Sequence, residues 1–143
     1  MPMNRKVLII EDDPATSRLV DYSLRHHGYQ VITATNGLEG VRKAQAEAPD
    51  LVILDVMLPG IDGYEICHRL RSDPATAGLL ILMFSAKAQE IDKETGKKVG
   101  ADDYLTKPAA PAEIVSRVER LLAKKSAPQR GGQPVQEKIG GKG

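Results

Sequence analysis

Apolar residues along the chain fall into five short runs at near-even spacing: KVLII at 6–10, YQVITAT at 29–35, LVILD at 51–55, LLILMFS at 79–85 and the shorter DYLT at 103–106. Runs of this length, rich in aliphatic and β-branched residues, predict strands. Between them the apolar positions recur at helical spacing. Ala15, Leu19, Val20 and Leu24 share one face of a helix from Pro14 to His27, which Gly28 ends. Asn36 caps a helix carrying Leu38, Val41, Ala44 and Ala48, which stops before Pro49. A third helix follows Gly63 with Tyr64, Ile66, Cys67 and Leu70 and ends near Ser72 to Pro74. A polar, weakly amphipathic helix is expected from about Ala88 to Val99, and the last opens near Pro111 with Ile114, Val115, Val118, Leu121 and Leu122.

Strands alternating with helices five times predict an α/β fold with a central five-stranded parallel sheet. Strands that are apolar throughout have no face for solvent and must be covered on both sides. Right-handed crossovers then make it a doubly wound (βα)5 sandwich. The folded domain is expected over 1–125. From 126 onward, SAPQRGGQPVQEKIGGKG is rich in Gly, Pro, Gln and Lys without an apolar period, so 126–143 reads as a disordered tail or linker.

A length of 143 residues suits one domain. Trp is absent and Phe84 is the only Phe, so the core has to be aliphatic. The formal net charge of +1 hides an asymmetry, because residues 124–143 hold five of the 20 Lys and Arg but one of the 19 acids. The folded part is therefore mildly acidic, with no basic stripe carrying interleaved aromatics, and direct nucleic-acid binding by this chain is not expected. Cys67 is the single cysteine, which rules out an internal disulfide. The N-terminal apolar run is shorter than a signal h-region or a membrane span, so no membrane insertion is expected and the cytoplasm is the default location.

Functional groups of open α/β sheets gather where strands end at their carboxyl edge. There the first strand runs into Glu11, Asp12 and Asp13, and the third into Asp55. If those strands are neighbours, three or four carboxylates crowd one region, and two like charges about 4 Å apart repel by roughly 4 kcal/mol even at an effective dielectric of 20. A hard divalent cation such as Mg²⁺, held by one or two carboxylates and water, relieves that repulsion. The fourth strand ends in the hydroxyl of Ser85 and the fifth in Lys107, ahead of Pro108. A metal, an ammonium and a neutral donor around one carboxylate suit a transferring phosphoryl group, with Asp55 as the nucleophile of an aspartyl phosphate. Taken singly, Asp55 is as readily a turn residue, Glu11 and Asp12 cap residues, Lys107 a solvated lysine and Tyr104 a half-buried strand aromatic. The combination is what carries the reading. His26, His27 and His68 have no metal-ligand spacing, and Cys67 reads as a small core residue.

VLIIEDDP, LVILDVMLPGIDGYE, ILMFSAK and ADDYLTKP, in this order and at these spacings, resemble the receiver domain of bacterial two-component response regulators over about residues 5–123. The resemblance implies a flavodoxin-like fold and a phosphoacceptor, Asp55, served by a sensor histidine kinase or phosphotransfer protein. It implies Mg²⁺ (or Mn²⁺) held by Glu11, Asp12, Asp55 and the Met57 carbonyl, with Asp12 the more direct ligand. Ser85 stands where the family has the hydroxyl that follows the phosphoryl oxygen, Lys107 where it has the charge-pairing lysine, and Tyr104 at the aromatic switch position. Asp13 is not a hallmark ligand and is expected to cap the first helix. The Lys107–Pro108 bond is implied to be cis. The switched surface is implied to be the face formed by the 88–99 helix, the last strand and the last helix, which would meet a downstream protein target or a second copy in a homodimer. Met57 and Lys87 occupy positions that tune phosphoryl lifetime, and apolar Met57, unable to orient a water, points to a long-lived phospho-state.

One departure is Ala109, where many members have Phe, which implies looser packing beneath the last loop. Two other classes compete with a signalling module that catalyses its own phosphorylation and dephosphorylation only weakly. An aspartyl-phosphate phosphatase of the haloacid dehalogenase type needs a second Asp two residues after the nucleophile, and Met57 stands there. An FMN carrier of the same fold would have to place a phosphate against Glu11, Asp12 and Asp13, which repel it. A third possibility is a receiver fragment of a larger regulator.

Overall fold

All five apolar runs form strands: β1 (Lys6–Ile10), β2 (Gln30–Ala34), β3 (Leu51–Leu54), β4 (Leu80–Ser85) and β5 (Asp103–Thr106). They pair in parallel in the order β2-β1-β3-β4-β5. The structure, a computed structural model, describes residues 5–86 and 100–126. Lys87, the helix expected over 88–99 and the tail from 127 lie outside the described residues. The helices are α1 (Pro14–His26), α2 (Gly37–Glu47), α3 (Gly63–Ser72) and α4 (Pro111–Ser126), the last being the helix expected to open near Pro111.

Each start carries a local cause. Asp13 caps α1, its carboxylate accepting the Thr16 amide at 3.1 Å and the Thr16 hydroxyl at 2.6 Å. Asn36 caps α2 through the Glu39 amide, and Asp62 caps α3 through the Glu65 amide. Proline opens both α1 and α4, where its missing N–H costs nothing. α2 stops at Glu47, with Ala48 in the left-handed region, before Pro49 removes the next donor.

Period-two alternation along the strands splits the core in two. Val7, Ile9, Leu51, Ile53, Leu82, Phe84 and Leu105 face α1 and α4. Leu8, Ile10, Val52, Leu54, Ile81 and Met83 face α2 and α3. Both clusters are chiefly aliphatic. Cys67 is fully buried in the second, where desolvation pushes its thiol up to about 12, out of reach of thiolate chemistry.

The helical faces differ from the sequence reading at Ala15 and Leu19, at Leu38 and at Ala48, all of which are exposed. On α1 the buried positions are Val20, Ser23 and Leu24, while Leu19 is 44% exposed; on α2, Leu38 is 53% exposed. Leu19 and Leu38 sit at the flank of the apolar stripe. Leu19 borders a cavity of about 430 Å³ between α1 and α4, and Leu38 one of about 290 Å³ beside Pro59 and Ile61. Beneath the last loop, a cavity of about 130 Å³ is lined by Thr16, Leu19, Phe84, Lys107, Pro108 and Ala109. Among the described residues no helix is long and apolar enough to cross a membrane.

Burial separates residues that look alike in sequence. Leu54→Ala, at a fully buried position, is expected to cost about 2–5 kcal/mol in urea unfolding. Leu38→Ala should stay within about 0.5 kcal/mol of wild type, and equal losses at the two sites would refute the assigned faces.

Candidate functional site

Strand register brings the chemistry together. Ile10 is level with Leu54, so Glu11 and Asp55 leave the sheet side by side, and the Asp55 amide donates to the Ile10 carbonyl at 3.3 Å. Ser85 is level with Thr106, and the Lys107 amide donates to the Ser85 carbonyl at 3.1 Å. Four strand ends thus deliver Glu11 and Asp12, Asp55, Ser85 and Lys107 to one edge.

The Lys107 ammonium donates to Glu11 Oε1 at 2.6 Å and to Asp55 Oδ2 at 2.9 Å. Asp55 Oδ1 accepts the Met57 amide at 2.9 Å, and the Ser85 side chain also hydrogen-bonds the Asp55 carboxylate. Glu11 Oε2 accepts the Asp13 amide at 3.1 Å. Glu11, Asp55 and Ser85 are buried, whereas Asp12 is exposed. One oxygen each of Glu11, Asp12 and Asp55 lie within 4.8 Å of one another, close enough to share a hard cation. The Lys107–Pro108 bond is cis. Lys87 lies outside the described residues.

The family model of the response regulator receiver domain matches residues 7–119. The chain belongs to that family. It is 47% identical over 120 residues to the alkaline phosphatase synthesis transcriptional regulatory protein PhoP of Bacillus subtilis, a match covering 84% of this chain and 49% of that protein. It is 48% identical over 117 residues to the DNA-binding dual master transcriptional regulator RpaA of Synechocystis, covering 82% and 48%. Among solved structures, the chemotaxis response regulator CheY4 of Vibrio cholerae superposes with a TM-score of 0.79 at 32% identity, covering 83% of this chain and 99% of that one. The receiver chain therefore spans about half the length of the curated relatives it matches.

Electrostatics within the receiver site pull its two buried acids apart. Burial pushes the Asp55 carboxyl up, but the Met57 amide, Lys107 and Ser85 together outweigh it and hold it below the ordinary Asp value. For Glu11 burial wins over the bonds from Lys107 and the Asp13 amide, so its carboxyl is held above the ordinary Glu value. Burial alone would lower the pKa of Lys107, yet its two carboxylate partners keep it above the ordinary lysine value.

Two contributors to the receiver site escape sequence reading. Gly63 opens α3 so close to the preceding turn that a Cβ there would stand 2.6 Å from Val56 Cα and 2.8 Å from the Asp55 carbonyl. The glycine is legible as a helix start, but that close approach is not. Phe84 lies under Lys107, with the ammonium 5.5 Å from the ring centroid, on a strand where it reads simply as core. Tyr104 packs against the α2/α3 side of the core, its hydroxyl buried and without a hydrogen-bond partner among the described residues. The Met57 side chain is 53% exposed beside Asp55.

Carbon-13 titration of the metal-free receiver should find the Glu11 carboxyl above 4.5 and the Asp55 carboxyl below 3.8. The signs differ in their consequence. Asp55 contributes stability that is lost as pH falls through its depressed value, whereas protonation of Glu11 through its raised value favours the folded state. Titration of both at their ordinary values would contradict the arrangement around Lys107.

Proposed function

We propose that this receiver accepts a phosphoryl group on Asp55 from the phosphohistidine of a sensor histidine kinase or phosphotransfer protein, and passes the change to a downstream protein target. The observation that carries the reading is the buried Asp55 carboxylate, oriented on one oxygen by the Met57 amide and on the other by Lys107. An Asp55 oxygen forms the new bond to phosphorus as the phosphorus–nitrogen bond of the donor breaks and its electron pair returns to the imidazole. Lys107 keeps a fixed positive charge where the phosphoryl oxygens arrive, and the buried Ser85 hydroxyl supplies a neutral donor.

The donor set fits Mg²⁺ (or Mn²⁺): three carboxylates, all oxygen donors, share the edge with one ammonium. Glu11, Asp12, Asp55 and the Met57 carbonyl would hold the ion, with Asp12, the exposed member, its most direct ligand. When bound, the ion offsets the charge of the phosphoryl oxygens.

A phosphoryl group brings about −1.5 to −2 charge to the sheet edge. In this reading Ser85 turns toward it, Tyr104 responds by moving within the space beside β5, and the surface built on β5 and α4 carries the change to a partner, a second copy among them. Met57 and Lys87 set the phosphoryl lifetime. A haloacid-dehalogenase-type phosphatase is disfavoured by Met57, which has no proton to give where that chemistry needs an acid.

Incubation of the full chain with acetyl phosphate and Mg²⁺ should add about 80 Da, the mass of HPO₃ in an acyl phosphate, and Asp55→Asn should abolish the adduct. An adduct that persists in that variant, or none in wild type, would sink the assignment. Met57→Asn places an amide where a water can be oriented beside the phosphoryl group. Its adduct should decay faster than that of wild type; slower decay would reverse the role given to Met57.

A further inference from the structure

Asp102 and Asp103, the acidic pair ahead of the switch tyrosine, have no part in the chemistry above. Asp102 stands just ahead of β5 and Asp103 opens it, and each meets an arginine from a different helix. Arg71 of α3 pairs with Asp102 Oδ2 at 2.8 Å, and the same oxygen accepts the Ile81 amide at 2.8 Å. Arg71 also donates to the carbonyls of Gly100 at 2.6 and 2.9 Å, Ala77 at 2.9 Å and Leu79 at 2.6 Å. Arg117 of α4 reaches Asp103 Oδ2 at 3.2 Å and the Tyr104 carbonyl at 2.9 Å. Asp103 Oδ1 in turn accepts the Tyr104 amide at 2.8 Å.

The backbone of Tyr104 is therefore held at both its amide and its carbonyl by one closed circuit, Asp103 and Arg117, and the chain just before it is tied to α3 by Arg71 and to β4 by the Asp102 carboxylate. The tip of the same residue is the opposite case, since its hydroxyl is buried and unpartnered among the described residues. Resting on the switch role given to Tyr104 above, we propose that Arg117 and Arg71 are positioning residues of the switch. Together with Asp103 and Asp102 they form a two-sided clamp that immobilises the β5 backbone, so that the response to a phosphoryl group is confined to rotation of the Tyr104 side chain. Without the clamp, a four-residue edge strand paired on one side only would also shift bodily, and the ring would have no fixed pivot.

Full chain labelled with 3-fluorotyrosine tests this, using beryllofluoride with Mg²⁺ as the phosphoryl mimic. The Tyr104 line, assigned by its loss in Tyr104→Phe, should be single and sharp in wild type and shift on adding beryllofluoride. In Arg117→Gln and in Asp103→Asn the line should be broadened or split before beryllofluoride is added, and the shift should shrink. The lines of Tyr22, Tyr29 and Tyr64 should stay in place. Acetyl phosphate labelling should remain within about twofold of wild type, since neither residue touches the acid pocket. Arg117→Lys, which keeps one charged donor, should recover a single line. A Tyr104 line identical to wild type in both states, or a change in all the tyrosine lines together, would overturn the clamp. Arg71→Gln should act in the same direction, and if it fails to fold the Arg117 and Asp103 variants decide. A wild-type chain that takes no phosphoryl group counts against the phosphoacceptor reading alone, because the free-protein line shapes still test the clamp.

Discussion

Lys107 Nζ lies 2.6 Å from Glu11 Oε1 and 2.9 Å from Asp55 Oδ2, and the rest of the sheet edge depends on that one ammonium. Glu11 and Asp55 must stand side by side because β1 and β3 are in register, and both are buried. Their repulsion, roughly 4 kcal/mol for unit charges about 4 Å apart at an effective dielectric of 20, cannot be escaped by turning a side chain toward solvent. Lys107 removes it, and burial in return makes the ammonium expensive to hold unless both carboxylates stay ionised. The three groups are thus mutually dependent, which leaves the site charged and intolerant of displacement.

Such a site needs backbone that does not give. Leu51 to Leu54 and Val7 to Ile10 are buried on both faces, so the strands delivering Asp55 and Glu11 cannot slip by one residue without exchanging the two halves of the core. Gly63 lets α3 begin against the Asp55 carbonyl, bracing the turn from the far side. On the fifth strand, which is short and lies at the edge, the same rigidity comes from polar contacts: Arg71 and Arg117 replace the packing that an interior strand receives from neighbours.

Local signals made most of this legible from sequence. The strand runs, the caps at Asp13 and Asn36 and the proline-opened helices are decided within a few residues, and the described elements fall where those residues place them. Receiver membership followed from four motifs whose spacing encodes the strand ends. Leu19 and Leu38 were placed on buried faces because helical periodicity fixes a direction to within about one residue's arc, while burial depends on what stands opposite. Arg71 with Asp102 and Arg117 with Asp103 are separated by 31 and 14 residues, and their meeting depends on how α3 and α4 settle on the sheet. No pattern along the chain announces it. Phe84 beneath Lys107 is invisible for the same reason.

The energetic position of Tyr104 follows from these constraints. A buried hydroxyl without a hydrogen-bond partner costs about 1–3 kcal/mol, and that of Tyr104 has none among the described residues. Releasing the ring would expose part of the roughly 200 Å² that an aromatic side chain buries, which at about 25 cal/mol per Å² is a cost of the same size for half the ring. The two terms are of similar size and opposite sign. Full reversal of a two-state population needs roughly 5.5 kcal/mol of differential affinity. The backbone beneath the Tyr104 ring is held at its amide by Asp103 and at its carbonyl by Arg117, which in the proposed switch would leave the ring, and not the strand, to respond. In the proposed switch, a rigid support under the Tyr104 side chain is what would let a phosphoryl charge of about −1.5 to −2 at Asp55 act on a surface that it does not touch.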